Sequence, residues 1–277
     1  MKTHQKLIIE HYRQANLEET ITAAYERAGM NQISHDDTAP LDEFHIRGRA
    51  ATRELAELAG LKPGMKVLDL GCGVGGPART LAAEYGCNVT GVDIIEEYIH
   101  TAKMLTDRVG VNDKTTFLHR DMMEYPFENE TFDAVWTLHT TMNIENKAEL
   151  FKNIRRALKP EGIFILYEIC SGSVSPPVYP VPWASDASIN FIVDGEELQK
   201  LLKNAGLEKV YWQDVTESSL QWYKKLVSQP KKKTGHKRKP GINLVMGDTA
   251  RDKMKNVVLN MKENRIRVIQ GVVRKKS

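Results

Sequence analysis

Cysteine is scarce in this chain: three in 277 residues, Cys72, Cys87 and Cys170, with no C-x-x-C spacing between them. That pattern excludes a disulfide framework and a paired-cysteine zinc site, so no metal is expected, and three reduced thiols point to a cytoplasmic protein. Long apolar runs are also missing. The stretch Gly162 to Tyr167 falls far short of the roughly 18 residues that cross a bilayer, so no membrane span is expected. The opening MKTHQKLIIEH holds no sustained apolar core, so no secretory leader is expected either. Charge of one sign is lacking too: a formal net charge of +3 makes no demand for a nucleic-acid partner. What is present, a 41% hydrophobic fraction over 277 residues, suffices for one large α/β domain with additions or two small ones.

One stretch organises the rest, Met65 to Asp93, reading MKVLDLGCGVGGPARTLAAEYGCNVTGVD. An apolar strand (Val67, Leu68, Leu70) runs into Gly71, Gly73, Gly75 and Gly76; a helical pattern follows from Ala78 to Tyr85, and a second strand delivers Asp93. This is half of a nucleotide-binding α/β unit. Glycines let the backbone turn sharply and approach a ligand, and an acid at the end of the second strand can accept hydrogen bonds from ribose hydroxyls. The implied ligand is of adenosine type. G-x-G-x-x-G alone is compatible with NAD or FAD. Asp69 separates the choices: a buried acid suits a cationic ligand and would repel a pyrophosphate, unless it only caps the turn.

Before this unit the chain reads as helical. Leu7, Ile8, Tyr12, Leu17, Ile21, Ala24 and Tyr25 recur at helical spacing up to Gly29, a polar connector NQISHDDTAPLDEFHIRG follows, and a helix runs from Arg49 to Ala59. Residues 1–60 are thus expected to form an N-terminal helical cap or lid, and residues 61–277 the core. After Asp93, strands and helices alternate: a helix Glu96 to Val109, strands Thr116 to His119 and Phe132 to Leu138, a helix Lys147 to Leu158, and a strand Gly162 to Ile169. Their apolar runs fit strands buried on both faces of a parallel sheet. Residues 171–193, with Pro176, Pro177, Pro180 and Pro182, predict an extended cap segment. Further helices are expected from Asp194 to Asn204, Ser218 to Leu226 and Thr249 to Met261, with strands at Leu207 to Trp212 and Ile266 to Val273.

VLDLGCGVGG resembles the first motif of the class I S-adenosylmethionine-dependent methyltransferases, and the resemblance extends from Leu61 onward. It implies a Rossmann-like, seven-stranded, mostly parallel sheet with helices on both faces, ordered 3-2-1-4-5-7-6 with the seventh strand antiparallel, behind the N-terminal helical cap. The cofactor implied is S-adenosyl-L-methionine, leaving as S-adenosyl-L-homocysteine. Carried over position by position, Asp69, Gly71, Cys72, Gly73 and Gly75 would form the cofactor loop, Asp93 with Ile94 would meet the ribose, Asp121 and Met122 the adenine, and Leu138 the end of the fourth strand. LKPEGIFILYEI departs from the usual L-K-P-G-G at Glu161, a change expected to be tolerated in a turn. The likeness is nearest to the small-molecule branch, the quinone, sterol and isoprenoid C-methyltransferases and the glycine, sarcosine and dimethylglycine N-methyltransferases. The Asn/Asp-Pro-Pro-Tyr/Phe signature of base and glutamine N-methyltransferases is absent, the corresponding stretch being LHTT.

The implied function is methyl transfer to a small molecule, an amine or a hydroxylated or quinonoid ring, by in-line displacement. His139 at the end of the fourth strand is the first candidate for a base or orienting group; the alternative is a histidine that only bonds backbone. His45 and Asp42 are second candidates, if the N-terminal segment folds over the site. Tyr12, Phe44, Thr140, Tyr167, Tyr179 and Trp183 are expected to line the acceptor site, with ordinary packing as the competing reading of each. Glu168 reads either as a substrate contact or as a solvated strand-end acid. The basic loop 230–241, with Lys231 to Lys233 and Lys237 to Lys239, lacks stacking aromatics and reads as a solvated insertion; the alternatives are phosphate of nucleic acid and an anionic membrane surface. An NAD-dependent oxidoreductase and a non-catalytic binding protein are the rival functions. Oligomeric state is not legible.

Overall fold

The computed structural model describes residues 3–228 and 239–276. Four helices come first: α1 (Thr3–Tyr12), α2 (Leu17–Arg27), α3 (His35–Asp42) and α4 (Arg49–Leu58). The apolar pattern that runs from Leu7 to Tyr25 is split, because Asn16 takes the left-handed conformation (φ 54°) that Asn tolerates. The connector expected between Gly29 and Gly48 contains a helix, α3. Its start is fixed by Asp37, whose carboxylate accepts from the Ser34 N–H (2.9 Å) and hydroxyl (2.7 Å). A polar composition conceals it, since only Thr38, Leu41 and Asp42 are buried.

The alternating part follows as β1 (Lys66–Leu70), α5 (Gly76–Tyr85), β2 (Asn88–Asp93), α6 (Glu96–Val109), β3 (Thr115–His119), β4 (Phe132–Leu138), α7 (Lys147–Ala157) and β5 (Leu158–Ser171). Then come α8 (Gly195–Asn204), β6 (Leu207–Asp214), α9 (Thr216–Ser228), α10 (Asn243–Met246), α11 (Ala250–Lys262) and β7 (Ile266–Lys275). The seven strands form one sheet in the order β3-β2-β1-β4-β5-β7-β6, and β7 runs antiparallel to both its neighbours. Alternate side chains serve opposite faces. Val67 and Trp136 pack with residues of α4, α5, α6 and α11, whereas Leu68, Val135 and Phe164 pack with residues of α7 and α8. Full burial of each such side chain contributes about 1.5–3 kcal/mol, and all five are 0% exposed.

Strand order reverses between β1 and β4, which flank each other while β2 continues outward from β1. A crevice opens at the carboxyl ends of strands at such a reversal, and this is where a doubly wound fold holds its ligand. Among the described residues no helix is long and apolar enough to cross a membrane, and no group of three or more His, Cys, Asp or Glu is placed to hold a metal ion. Lys231, Lys232, Lys233, Lys237 and Arg238 lie outside the described residues; Lys239 pairs with Asp37 at 2.6 Å.

Glu161, near the start of β5, has φ +60°. A glycine is cheapest in that left-handed region, which gives the departure from L-K-P-G-G a cost that a turn does not remove. The Arg274 guanidinium lies 3.9 Å away and both side chains are exposed, so that pair offsets little. Glu161→Gly should therefore stabilise the protein by about 0.5–1 kcal/mol, left-handed strain relieved less the extra freedom of the unfolded chain. A denaturant midpoint raised at constant m-value is the expected result.

Candidate active site

The site begins with the backbone turning out of β1. Gly71 has φ +74°, and a Cβ there would lie 2.6 Å from the Thr140 side chain. Gly71 and Cys72 both donate N–H to the Val92 carbonyl, at 2.8 and 3.1 Å. Gly73 N–H donates to one oxygen of Asp93 and Ile95 N–H to the other, each at 2.9 Å, so the acid at the end of β2 locks the glycine loop as well as facing the crevice. Burial pushes Asp93 up to about 6 despite those two donors. Asp69 is 1% exposed, and its Oδ2 has no hydrogen-bond partner. Burial first, then the carboxylates of Asp93 and Glu43, push it up to about 8.

The N-terminal segment folds over this loop through buried charges. Gly76 opens α5, and a Cβ there would fall 2.2 Å from the Asp42 carbonyl oxygen, so only glycine admits the end of α3 this closely. Arg79, one helical turn on and 0% exposed, donates to Asp42 (2.7 Å), the Val74 carbonyl of the glycine loop (2.7 Å), and Ala102 and Thr106 of α6 (3.2 and 3.1 Å). Glu43 accepts from Thr80 (2.7 Å), Thr52 (2.8 Å) and Arg49 (3.2 Å). His45 donates from Nε2 to the Gly48 carbonyl at 2.9 Å, and burial lowers its pKa to about 4. Asp42 and His45 are thus brought to the cavity wall, Asp42 as the counter-ion of Arg79 and His45 as a neutral imidazole.

The end of β4 supplies the facing wall. His139 has φ +51°; its Nδ1–H donates to the Tyr167 carbonyl (3.0 Å) and its Nε2 accepts the Ile46 N–H (3.1 Å). Both ring nitrogens are committed to backbone, and burial followed by repulsion from His45 lowers its pKa to about 3. The expectation of an available base at His139 is corrected on that geometry, because a neutral imidazole with both nitrogens bonded has no lone pair to spare. Beyond it, Asn143 accepts from the Tyr12 hydroxyl (2.7 Å) and donates to the carbonyls of Trp183 (2.9 Å) and Ile189 (2.8 Å). His4 reaches the Asn143 carbonyl at 3.0 Å, and Gln5 donates to Asp121. Helix α1 therefore lies across the opening.

A cavity of about 670 Å³ results. Asp69, Gly71, Cys72, Gly73, Asp93 and Ile94 line it, with Asp121, Met122 and Leu138. Tyr12, Asp42, Phe44, His45, Thr140 and Trp183 also line it, with His139. Three expectations are corrected. Gly75 (φ +80°) shapes the loop without reaching the wall; Tyr167 stacks behind His139, ring centroids 4.9 Å apart; Tyr179 faces away, its hydroxyl accepting from Asn190 at 2.9 Å. Glu168 is 0% exposed and so not a solvated acid. The sequence reading missed Asn143, Arg79 and Glu43, and an apolar wall of Trp222, Tyr223, Met246, Met254 and Val257 from the last three helices. The three helices carry no motif; the one available signal was the methionine and aromatic spacing along them. Among the described residues lining the cavity there is no lysine or arginine.

Residues 68–166 match the methyltransferase domain family. The sterol 24-C-methyltransferase ERG6B of Gibberella zeae is 45% identical over 114 residues, covering 41% of this chain and 30% of that protein. The cycloartenol-C-24-methyltransferase 1 of Oryza sativa subsp. japonica is 36% identical over 176 residues, 61% of this chain and 51% of that one. The chain thus spans about half the length, or less, of these curated relatives. Two solved structures share the fold. The Haemonchus contortus phosphoethanolamine N-methyltransferase 2 with S-adenosyl-L-methionine has a TM-score of 0.69 at 20% identity, over 100% of this chain and 61% of that one. The Streptomyces coelicolor geranyl diphosphate C-methyltransferase has 0.71 at 15%, over 99% and 98%.

Arg79→Met should destabilise the protein by about 3 kcal/mol, because Asp42 would lose its 2.7 Å partner and keep only the Arg49 guanidinium at 4.0 Å. Adding Asp42→Asn should recover part of the loss. Urea unfolding of the two variants checks both signs.

Proposed function

We propose that this chain, whose residues 68–166 match the methyltransferase domain family, is a class I S-adenosylmethionine-dependent methyltransferase that methylates an uncharged small molecule with a largely apolar body and releases S-adenosyl-L-homocysteine. The observation that carries the reading is Asp69: a buried carboxyl at the cavity wall, with an oxygen that no donor among the described residues meets. A cationic ligand lets such a group ionise and pair with it, whereas a pyrophosphate would oppose that ionisation, which disfavours the NAD reading. Asp93 would hold the ribose, and Asp121 with Met122 the adenine. S-adenosylmethionine supplies, when bound, a methyl group on a good sulfonium leaving group. The protein's task is then to hold the acceptor in line and keep water out.

The acceptor end supports the finer part. Trp183, Trp222, Met246 and Met254 offer apolar and polarisable surface, and no described lysine or arginine lines the wall, the carboxylates of Asp42 and Glu43 being paired behind it with Arg79 and Arg49. A phosphate or diphosphate would find no described lysine or arginine on the wall to pair with. The relatives' names specify methylation of a sterol carbon, which favours carbon as the receiving atom over the amine of the N-methyltransferase neighbour. His45 and His139, both neutral, would shape the wall and leave protons where they are.

Calorimetry should show micromolar S-adenosyl-L-homocysteine binding and none for NAD. Asp93→Ala should weaken that binding about 10-fold or more, through lost ribose contacts and a loosened glycine loop. Mass spectrometry after incubation with S-adenosyl-L-methionine should find product from sterols or neutral isoprenoids and none from geranyl diphosphate or phosphoethanolamine. Product from the phosphorylated acceptors alone would refute the uncharged-acceptor reading.

A proton balance tests Asp69 itself. With its pKa near 8 the carboxyl is protonated at pH 7 before binding, and a neighbouring sulfonium or ammonium favours the ionised form. Binding of S-adenosyl-L-methionine near pH 7 should release a proton from Asp69, visible as a dependence of binding heat on buffer ionisation enthalpy. Affinity should rise from pH 6 to pH 8. Asp69→Asn should lose that share of the proton release.

A further inference from the structure

Glu168 sits within β5 at 0% exposure and is used by no step above. Its Oε2 accepts two successive backbone N–H groups, Thr140 at 3.1 Å and Thr141 at 3.0 Å, where the chain leaves β4. Those two residues open the turn that forms the acceptor wall. Thr140 then donates to the Leu70 carbonyl at 3.2 Å, its side chain filling the space that a Cβ on Gly71 would need. Asn143 N–H closes the turn on the Thr140 carbonyl at 3.2 Å, and its side chain receives Tyr12 of α1. One buried carboxylate thus sets both the separation between the β4 turn and the glycine loop and the seat of the covering helix.

We propose that Glu168 is a positioning residue for the reacting centre, acting through the Thr140 and Thr141 amides on the wall opposite the glycine loop.

A neutral side chain of the same shape could accept the same two hydrogen bonds, but a carboxylate accepts them more strongly. The groups facing it bear on its ionisation. From α7 the Lys147 ammonium, held by the Ile144 carbonyl at 2.7 Å, favours the carboxylate. Tyr12 from α1 is uncharged, with its pKa raised by burial; Cys170 on the same strand is an un-ionised thiol; and the Thr137 hydroxyl lies alongside. Burial outweighs these and pushes Glu168 up to about 7. Its proton therefore comes and goes near neutrality, and the turn tightens as pH rises.

Hydrogen exchange of the ligand-free protein reads this directly, without any acceptor. After correction for intrinsic rates, and with the Val67 amide in β1 reporting global opening, protection at Thr140 and Thr141 should rise about tenfold between pH 6 and pH 8. In Glu168→Gln it should stay at the lower value throughout, and in Glu168→Ala fall further. Flat wild-type protection, or an unchanged pH dependence in Glu168→Gln, overturns the proposal. The link to chemistry rests on the methyl-transfer reading, so turnover is the second arm. With an accepted substrate, kcat should fall below pH 7 in the wild type, and this limb should vanish in Glu168→Gln while S-adenosyl-L-homocysteine affinity changes less than threefold. A folded Glu168→Ala protein with wild-type kcat overturns the positioning role. Absence of product from every acceptor would count against the functional reading alone, because the exchange arm decides the proposal without it.

Discussion

The structure depends on one buried cation, the Arg79 guanidinium. Its donors reach Asp42 of the N-terminal segment, the Val74 carbonyl of the glycine loop, and Ala102 and Thr106 of α6. Three parts of the chain that share no strand are thereby held at one point. A lysine could not substitute, since an ammonium is a point charge without the planar fork that serves several acceptors at once. The ion pair is costly to bury, and its worth lies in what it fixes. Asp42 is held at Gly76, where its backbone comes within the space of an absent Cβ. The cover over the cavity is thus tied to the loop that would bind the cofactor.

From that closure follows the electrostatic character of the cavity. Asp93 stands near enough to Asp69 to oppose its ionisation, and desolvation raises both. The pair is balanced for a ligand that brings positive charge, which would repay the protonation held by Asp69 and leave Asp93 its backbone donors. The histidines behave in the opposite sense. Burial keeps His45 and His139 neutral, and each spends its ring N–H on a carbonyl. Charge at this site is therefore carried by carboxyls, with imidazoles as fixed parts of the wall.

The glycine loop and its neighbouring acids were legible because they are local. Asp69, the glycines and Asp93 fall within one β-α-β stretch whose periodicity and glycine spacing can be read directly, and α6 and β4 occupy the spans their patterns predict. Strand order came with the family resemblance; no pattern of hydrophobicity could supply it. The features that escaped reading are those made by distant contacts. Arg79 in α5 looks like a solvent-facing helix residue, Glu168 looks like a strand-end acid, and α3 is stabilised by a capping interaction inside a polar stretch. His139 attracted a catalytic role by its position at the end of β4, while the two backbone partners that occupy it come from residues 46 and 167.

The same distinction bounds what likeness can transfer. The matched segment, residues 68–166, contains the glycine loop, Asp93, Asp121 and the turn after β4. Much of the rest of the cavity wall lies outside it: Tyr12, Asp42, Phe44 and His45 before, and Trp183, Trp222, Met246 and Met254 after. A shared cofactor half constrains the acceptor only through the geometry of attack, and fold alone leaves its identity open. What narrows it in this chain is physical. The wall is largely apolar and no described lysine or arginine lines it, so it offers an anionic group no cationic partner there.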